Sequence, residues 1–111
     1  MSTIFGKIIK GELPCEKVYE DETILAIKDK YPQAPVHLLI MPKKEYRDLQ
    51  SLPEEDMAVL ADIVRVAKKL AHEFEIEEGY RLLTNNGAEA GQTVHHLHFH
   101  LLGGRGLGAL G

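Results

Sequence analysis

The stretch from Ser51 to Phe74 carries the longest single periodicity in this 111-residue chain, and it divides everything else into short pieces. Met57, Leu60, Val64, Ala67, Ala71 and Phe74 recur at helical spacing, and Val59, Ile63, Val66 and Leu70 widen the stripe. At about 100° per residue the apolar arc spans roughly 160°, whereas a helix lying on one sheet needs only about 100°. The surplus asks for a second covering surface, either more of the same chain or a partner subunit. Ser51-Leu52-Pro53-Glu54 reads as a capping box with an early proline. Glu54, Glu55 and Asp56 at the start and Lys68, Lys69 and His72 toward the end match the helix dipole. Glu78-Gly79 is expected to stop the helix.

The flanking pieces read as strands. Val18 to Glu20 and Thr23 to Lys28 suggest a hairpin around Asp21-Glu22. Pro32 and Pro35 end the second strand. Val36 to Met41, apolar except for His37, fits a strand buried on both faces. Tyr80 to Thr84 is a fourth strand, Asn85-Asn86-Gly87 a turn, and His96 to Leu102 a fifth strand before Gly103, Gly104, Gly106 and Gly108. Thr3 to Lys10 forms a short N-terminal helix. Strands on either side of one long helix argue for an α+β fold: a mainly antiparallel five-stranded sheet, one long helix and one short one, in a single domain over residues 1–111.

Composition narrows the function. With 27% charged and 44% hydrophobic residues the chain reads as an ordinary globule. A net charge of −4 argues against a broad surface for nucleic acid or anionic membrane, while leaving room for a compact site for one anion. No apolar run reaches a membrane span, and the first residues lack a signal-peptide core. Cys15 is the single cysteine, so no intrachain disulfide or cysteine metal cluster forms, and a reducing cytoplasm is the expected setting.

Of six histidines, four fall within residues 95–100. Side chains alternate along a strand, so His96, His98 and His100 share one face, about 6.7 Å apart, and Leu97, Phe99 and Leu101 share the other. Such a row offers a nucleophile or base beside cationic or N–H donors, a set suited to attack on phosphorus. Zinc ligation by His-x-His is the competing reading. The loop Gly87 to Thr93 supplies backbone amides and a hydroxyl just before the row. His37, alone in an apolar strand, reads first as a satisfied core histidine, and Asp29 as a cap or turn residue.

Three separated segments carry a family resemblance. Gln92-Thr93-Val94-His95-His96-Leu97-His98-Phe99-His100-Leu101-Leu102-Gly103-Gly104-Arg105 resembles the signature of the histidine triad (HIT) superfamily, His-φ-His-φ-His-φ-φ with φ apolar. Thr3 to Ile9 and Pro32 to Lys44 are similar to segments of its Hint branch, the histidine triad nucleotide-binding proteins. The resemblance implies a homodimer joined through the long helix (52–75) and the strand at 80–84. It implies no cofactor or metal, and hydrolysis of purine nucleoside phosphoramidates to a nucleoside monophosphate such as AMP and an amine.

By the same resemblance His98 is the nucleophile that forms a nucleotidyl-histidine, His100 bonds the phosphate oxygens and His96 supports His98. His37 completes the cluster. Gln92 and Thr93 meet the phosphate and leaving group, and Asn85 helps hold the phosphate. Asp29 binds the ribose hydroxyls, and Ile4, Phe5, Ile8 and Ile27 line the base pocket. His100, where the family's nucleotidyl transferases carry Gln, favours hydrolysis. Gly103-Gly104-Arg105 favours Hint over the dinucleoside polyphosphate hydrolases, and a nucleotide-binding adaptor is a further alternative. Three features depart from the pattern: His95, expected to pack, in place of a common Tyr; Lys28 and Lys30 flanking Asp29; and a tail without the usual Trp-Pro-Pro.

Overall fold

In the computed structural model, which describes residues 3–111, Thr3 caps the first helix. Its Oγ1 accepts the Gly6 amide at 3.1 Å, and α1 runs Ile4–Ile9. Strands β1 (Lys17–Glu20), β2 (Ile24–Lys28) and β3 (Val36–Pro42) follow, then helix α2 (Ala58–Glu73), β4 (Tyr80–Leu83) and β5 (Phe99–Gly103). The strands form one sheet in the order β1-β2-β3-β5-β4, with every neighbouring pair antiparallel. Asp21 builds the β1–β2 turn without a glycine, its Oδ1 accepting the amides of Thr23 and Ile24 at 2.8 Å each.

Both faces of the sheet are covered, as the apolar β3 demands. Even-numbered Leu38 and Ile40 join Ile24, Ala26 and Leu101 against Ile63, Val66, Ala67 and Leu70 of α2. Odd-numbered Leu39 and Met41 join Leu25 and Ile27 against Phe5 and Ile8 of α1. Period-2 alternation therefore sends β3 into two different cores. Outside both cores, Met57 is 40% and Val64 46% exposed, which leaves part of the wide apolar arc of α2 uncovered.

The long helix differs from expectation at both ends. Ser51 does not cap it: its hydroxyl donates back to the Asp48 carbonyl at 3.3 Å and its amide donates to Asp48 Oδ1 at 2.9 Å. Pro53 is extended, Glu54–Asp56 form a separate 3₁₀ turn, and the α-helix starts only at Ala58. At the far end Gly79 comes too late to act as the stop. Glu75 instead takes φ 59°, with its amide bonded to His72 O at 3.1 Å and that of Ile76 to Ala71 O at 2.8 Å. This is a Schellman closure with glutamate in the left-handed position. The buried Ile76 pins it against the α2 core, so packing overrides the usual preference for glycine.

The fifth strand is also shorter than expected at its start. The β3–β5 ladder ends at the Ile40↔Phe99 pair, and Pro42, two residues further along β3, has no N–H to extend it. His96 to His98 thus lie outside the ladder, yet their alternation persists. Leu97 packs with Tyr46 and Leu52, below α2, while Phe5 of α1 meets the rings of His96 and His98. No helix among the described residues is long and apolar enough to cross a membrane.

Candidate active site

Two imidazoles of the row, His96 and His98, are each set by a backbone carbonyl, and the third, His100, by another ring. His98 donates its Nδ1–H to the carbonyl of His96 at 2.7 Å, because a carbonyl can only accept. Its neutral ring therefore leaves Nε2 as a bare lone pair. Phe5 stands edge-on to that ring, centroids 4.9 Å apart, and fixes its plane. The His98 carbonyl is held in turn by the Thr84 hydroxyl at 2.7 Å.

His96 plays a different part. It is fully buried, and its Nε2–H donates to the Pro42 carbonyl at 2.8 Å. Its Nδ1 has no hydrogen-bond partner among the described residues. The ring ties the segment to the end of β3, and its main chain, rather than its side chain, orients His98.

His37 and His100 form a connected pair across β3 and β5. The Gln33 amide donates to His37 Nδ1 at 3.0 Å, so a neutral His37 carries its hydrogen on Nε2. Nε2 lies 2.9 Å from His100 Nδ1 and 3.3 Å from Asp29 Oδ2. His100 Nδ1 consequently accepts, and its own hydrogen sits on Nε2. Next to it, 5.2 Å between centroids, lies the His98 ring. The site therefore presents one bare nitrogen and one N–H side by side.

Asp29, His37 and His100 each offer a ligand atom, all within 4.8 Å of one another, a spacing that would suit a metal. The tautomer argues otherwise. Gln33 occupies the Nδ1 lone pair of His37, so the hydrogen sits on Nε2, the atom that would have to bind the ion. This trio is arranged for hydrogen bonding rather than ligation.

Burial is the main force on the site's proton affinities. It lowers the pKa of His98 below the ordinary histidine value. For His100, burial with the positive charge of His98 and His37 beside it takes the pKa down to about 4. Burial also lowers His37, against the pull of Asp29. All three are neutral at pH 7. The unfolded rings titrate near 6.5, so below that pH the unfolded chain binds more protons. Stability that is fully present above pH ~6.5 is lost as the pH falls through the depressed folded-state values. Thermal unfolding is expected to give a lower Tm at pH ~5 than at pH ~7.5, and His100→Gln should shrink the difference. An equal Tm at the two values in the native chain would contradict this.

The structure gathers most of the expected residues but not all of them in the expected way. Asp29 reaches the His37–His100 pair from the end of β2, and its Oδ1 accepts the Tyr31 amide at 2.8 Å. Phe5, Ile8 and Ile27 pack together beneath the rings. Ile4, by contrast, is 52% exposed on the outer side of α1. Gln92, expected to meet the phosphate, turns inward. Its Oε1 accepts the Gly87 amide at 2.7 Å, and its Nε2 donates to the carbonyls of Arg47 and Val94. With every group engaged, it braces the loop, and Thr93 beside it is exposed. Asn85 is half-buried at the base of the same loop, with Nδ2 facing Gly91. His95 does not pack: it is exposed, near Asp48. Lys28 is paired with Glu16 at 2.7 Å. Gln33 and Thr84 carry no pattern in the sequence, since they act through a main-chain amide and a single hydroxyl.

Known proteins share this fold and much of this sequence. Residues 10–107 match the model of the HIT domain family. A HIT-like protein of Chlamydia pneumoniae is 55% identical over 108 residues, 97% of this chain and 98% of that one. The solved structure of a HIT family hydrolase from Clostridium thermocellum is 49% identical, with a TM-score of 0.94 over 98% of this chain and 96% of that one. A histidine triad nucleotide-binding protein from Candida albicans superposes with a TM-score of 0.83 at 38% identity, over 99% of this chain and 84% of that one. The chain belongs to the HIT family, and its fold is the one shared by these hydrolases and nucleotide-binding proteins.

Proposed function

We propose that the protein is a Hint-branch phosphoramidase that hydrolyses the P–N bond of purine nucleoside 5′-phosphoramidates without a metal. One observation carries the reading: adjacent rings hold opposite proton arrangements, bare Nε2 on His98 and Nε2–H on His100. In the proposed reaction His98 Nε2 attacks the α-phosphorus. The P–N bond breaks, and the amine leaves with a proton, for which the Thr93 hydroxyl is the proposed donor. His98 becomes a nucleotidyl-imidazolium. Its Nδ1–H···O=C bond to His96 then becomes charge-assisted, which favours the attacked state over the resting one. His100 Nε2–H donates to the phosphoryl oxygens as negative charge gathers there. Water then attacks the same phosphorus, its released proton returns to the Thr93 oxygen, the P–N bond to His98 breaks, and His98 leaves neutral with a nucleoside monophosphate released.

Asp29 is the proposed ribose contact and the packed Phe5, Ile8 and Ile27 the floor of the base site. Ile4 and Asn85 are proposed to close on the nucleotide from α1 and the loop. The test is turnover of adenosine 5′-phosphoramidate in the presence of chelator. AMP release together with a transient nucleotidyl adduct in the intact-protein mass supports the reading. Turnover that requires added metal, or no turnover, rejects it.

We also infer a homodimer. Val64 and Met57 of α2 are exposed, and β4 is a free sheet edge. Light scattering should give twice the 12.4 kDa chain mass; a monomer at micromolar concentration would overturn the inference.

A further inference from the structure

The loop between β2 and β3 is held from the far end of the chain. Arg105 Nη2 donates to the Gln33 carbonyl at 2.7 Å, and its Nη1 donates to Gly106 O at 2.7 Å. The other side of Gln33, its amide, is the donor to His37 Nδ1 at 3.0 Å. Gln33 also ties its own side chain to Tyr31 O at 3.2 Å. An exposed guanidinium thus lies three hydrogen bonds from the ring that would face the phosphate. The links run Arg105 to Gln33, Gln33 to His37, and His37 to His100.

We propose that Arg105 is a positioning residue that sets the proton arrangement of His100 through the Gln33 amide and His37. The argument is one of donors and acceptors. With the Gln33 amide in place, His37 Nδ1 must accept, Nε2 must donate, and His100 Nδ1 must accept. His100 is left with a hydrogen on Nε2, directed at an anionic substrate. If the loop loosens and the amide withdraws, His37 is free to carry its hydrogen on Nδ1. His100 can then donate from Nδ1 to His37 Nε2. That leaves a bare Nε2 lone pair facing phosphate oxygens, an acceptor against acceptors. The same geometry explains why a histidine in an apolar strand keeps one tautomer without any side-chain partner on Nδ1. Arg105 supplies two parallel-capable donors on a planar group, which is what holding two carbonyls at once requires.

The consequence for rate rests on the proposed phosphoramidase reading, but the proton arrangement can be measured without it. The experiment uses full-length protein labelled with ¹⁵N-histidine, read by long-range proton–nitrogen correlation, with kcat and KM on adenosine 5′-phosphoramidate. Native protein should show a bare Nδ1 and a hydrogen-bearing Nε2 on both His37 and His100. Arg105→Met should move the His37 nitrogens toward averaged tautomers and lower kcat about tenfold, with KM changed less than about twofold. Arg105→Lys, which keeps a donor, should recover part of both effects. Gln33→Ala, which keeps the amide, should leave both rings as in the native protein. A hydrogen on His37 Nδ1 in the native chain, or native nitrogen shifts in Arg105→Met, would overturn the proposal. If the native chain turns over no phosphoramidate, the proposed function falls, and the nitrogen shifts still decide this inference.

Discussion

Replacing His98 with alanine should lower turnover of an adenosine phosphoramidate by about ten-thousand-fold or more, and should remove the nucleotidyl adduct from the mass spectrum. The size follows from the role. A covalent step that loses its nucleophile has no second route of similar quality within this cluster. His100 Nδ1 is occupied by His37, and the His96 side chain is buried under Phe5. Neither can present a lone pair to the same phosphorus. Folding of the variant is checked by its unfolding transition, since alanine also removes the ring against which Phe5 packs. A folded His98→Ala protein with native turnover would remove the nucleotidyl-histidine from the mechanism.

Gly104→Ala should cost about 3 kcal/mol of stability. Gly104 has φ +95°, and an added Cβ would lie 2.9 Å from Pro35 Cβ and 3.3 Å from Pro35 Cγ. The backbone penalty is about 1–2 kcal/mol and forced displacement of a packed neighbour about 1–3 kcal/mol. For a domain of this size that corresponds to a fall in Tm of about 12 °C. Pro35 is ring-stiff and lies in the loop that carries Gln33, so it cannot yield as the tip of a long side chain would. Gly106→Ala is the internal control: a Cβ there would meet nothing within 4 Å, and its cost should stay within about 0.5 kcal/mol. Equal melting temperatures for the two variants would contradict this account.

The continuous apolar run of β3 and the inner part of the α2 stripe are legible because such patterns report burial, and both faces of the sheet are covered, whereas Met57 and Val64 of the same stripe lie exposed. The one-sided imidazole row was legible for the same reason. Its ladder was not: the strand begins only at Phe99, because the absence of an N–H on Pro42 acts across strands rather than along the chain. The helix end was misplaced because Glu75 stands where glycine is usual, and its closure depends on the burial of Ile76.

The inward turn of Gln92 is not legible in its own loop, because although Gly87 and Val94 are near in sequence its third partner, the Arg47 carbonyl, comes from a separate segment. The sequence pattern implies a packing role for His95, and the structure places it in solvent. Proton arrangement lay furthest from reach, because it is decided by a main-chain amide at Gln33 and a carbonyl at His96, groups every residue possesses.

The central place of β3 in the sheet has a consequence for how the site fails. His37 hangs from β3 and His100 from its neighbour β5, with a strand or strands on each outer side and a helix against each face. Such segments open only with the whole domain, whereas edges and tails fray at little cost. The rings therefore have no separate melting of their own. As denaturant rises, a population of these molecules contains intact sites and unfolded chains and very little between. A partial loss of activity then counts molecules rather than describing a weakened site.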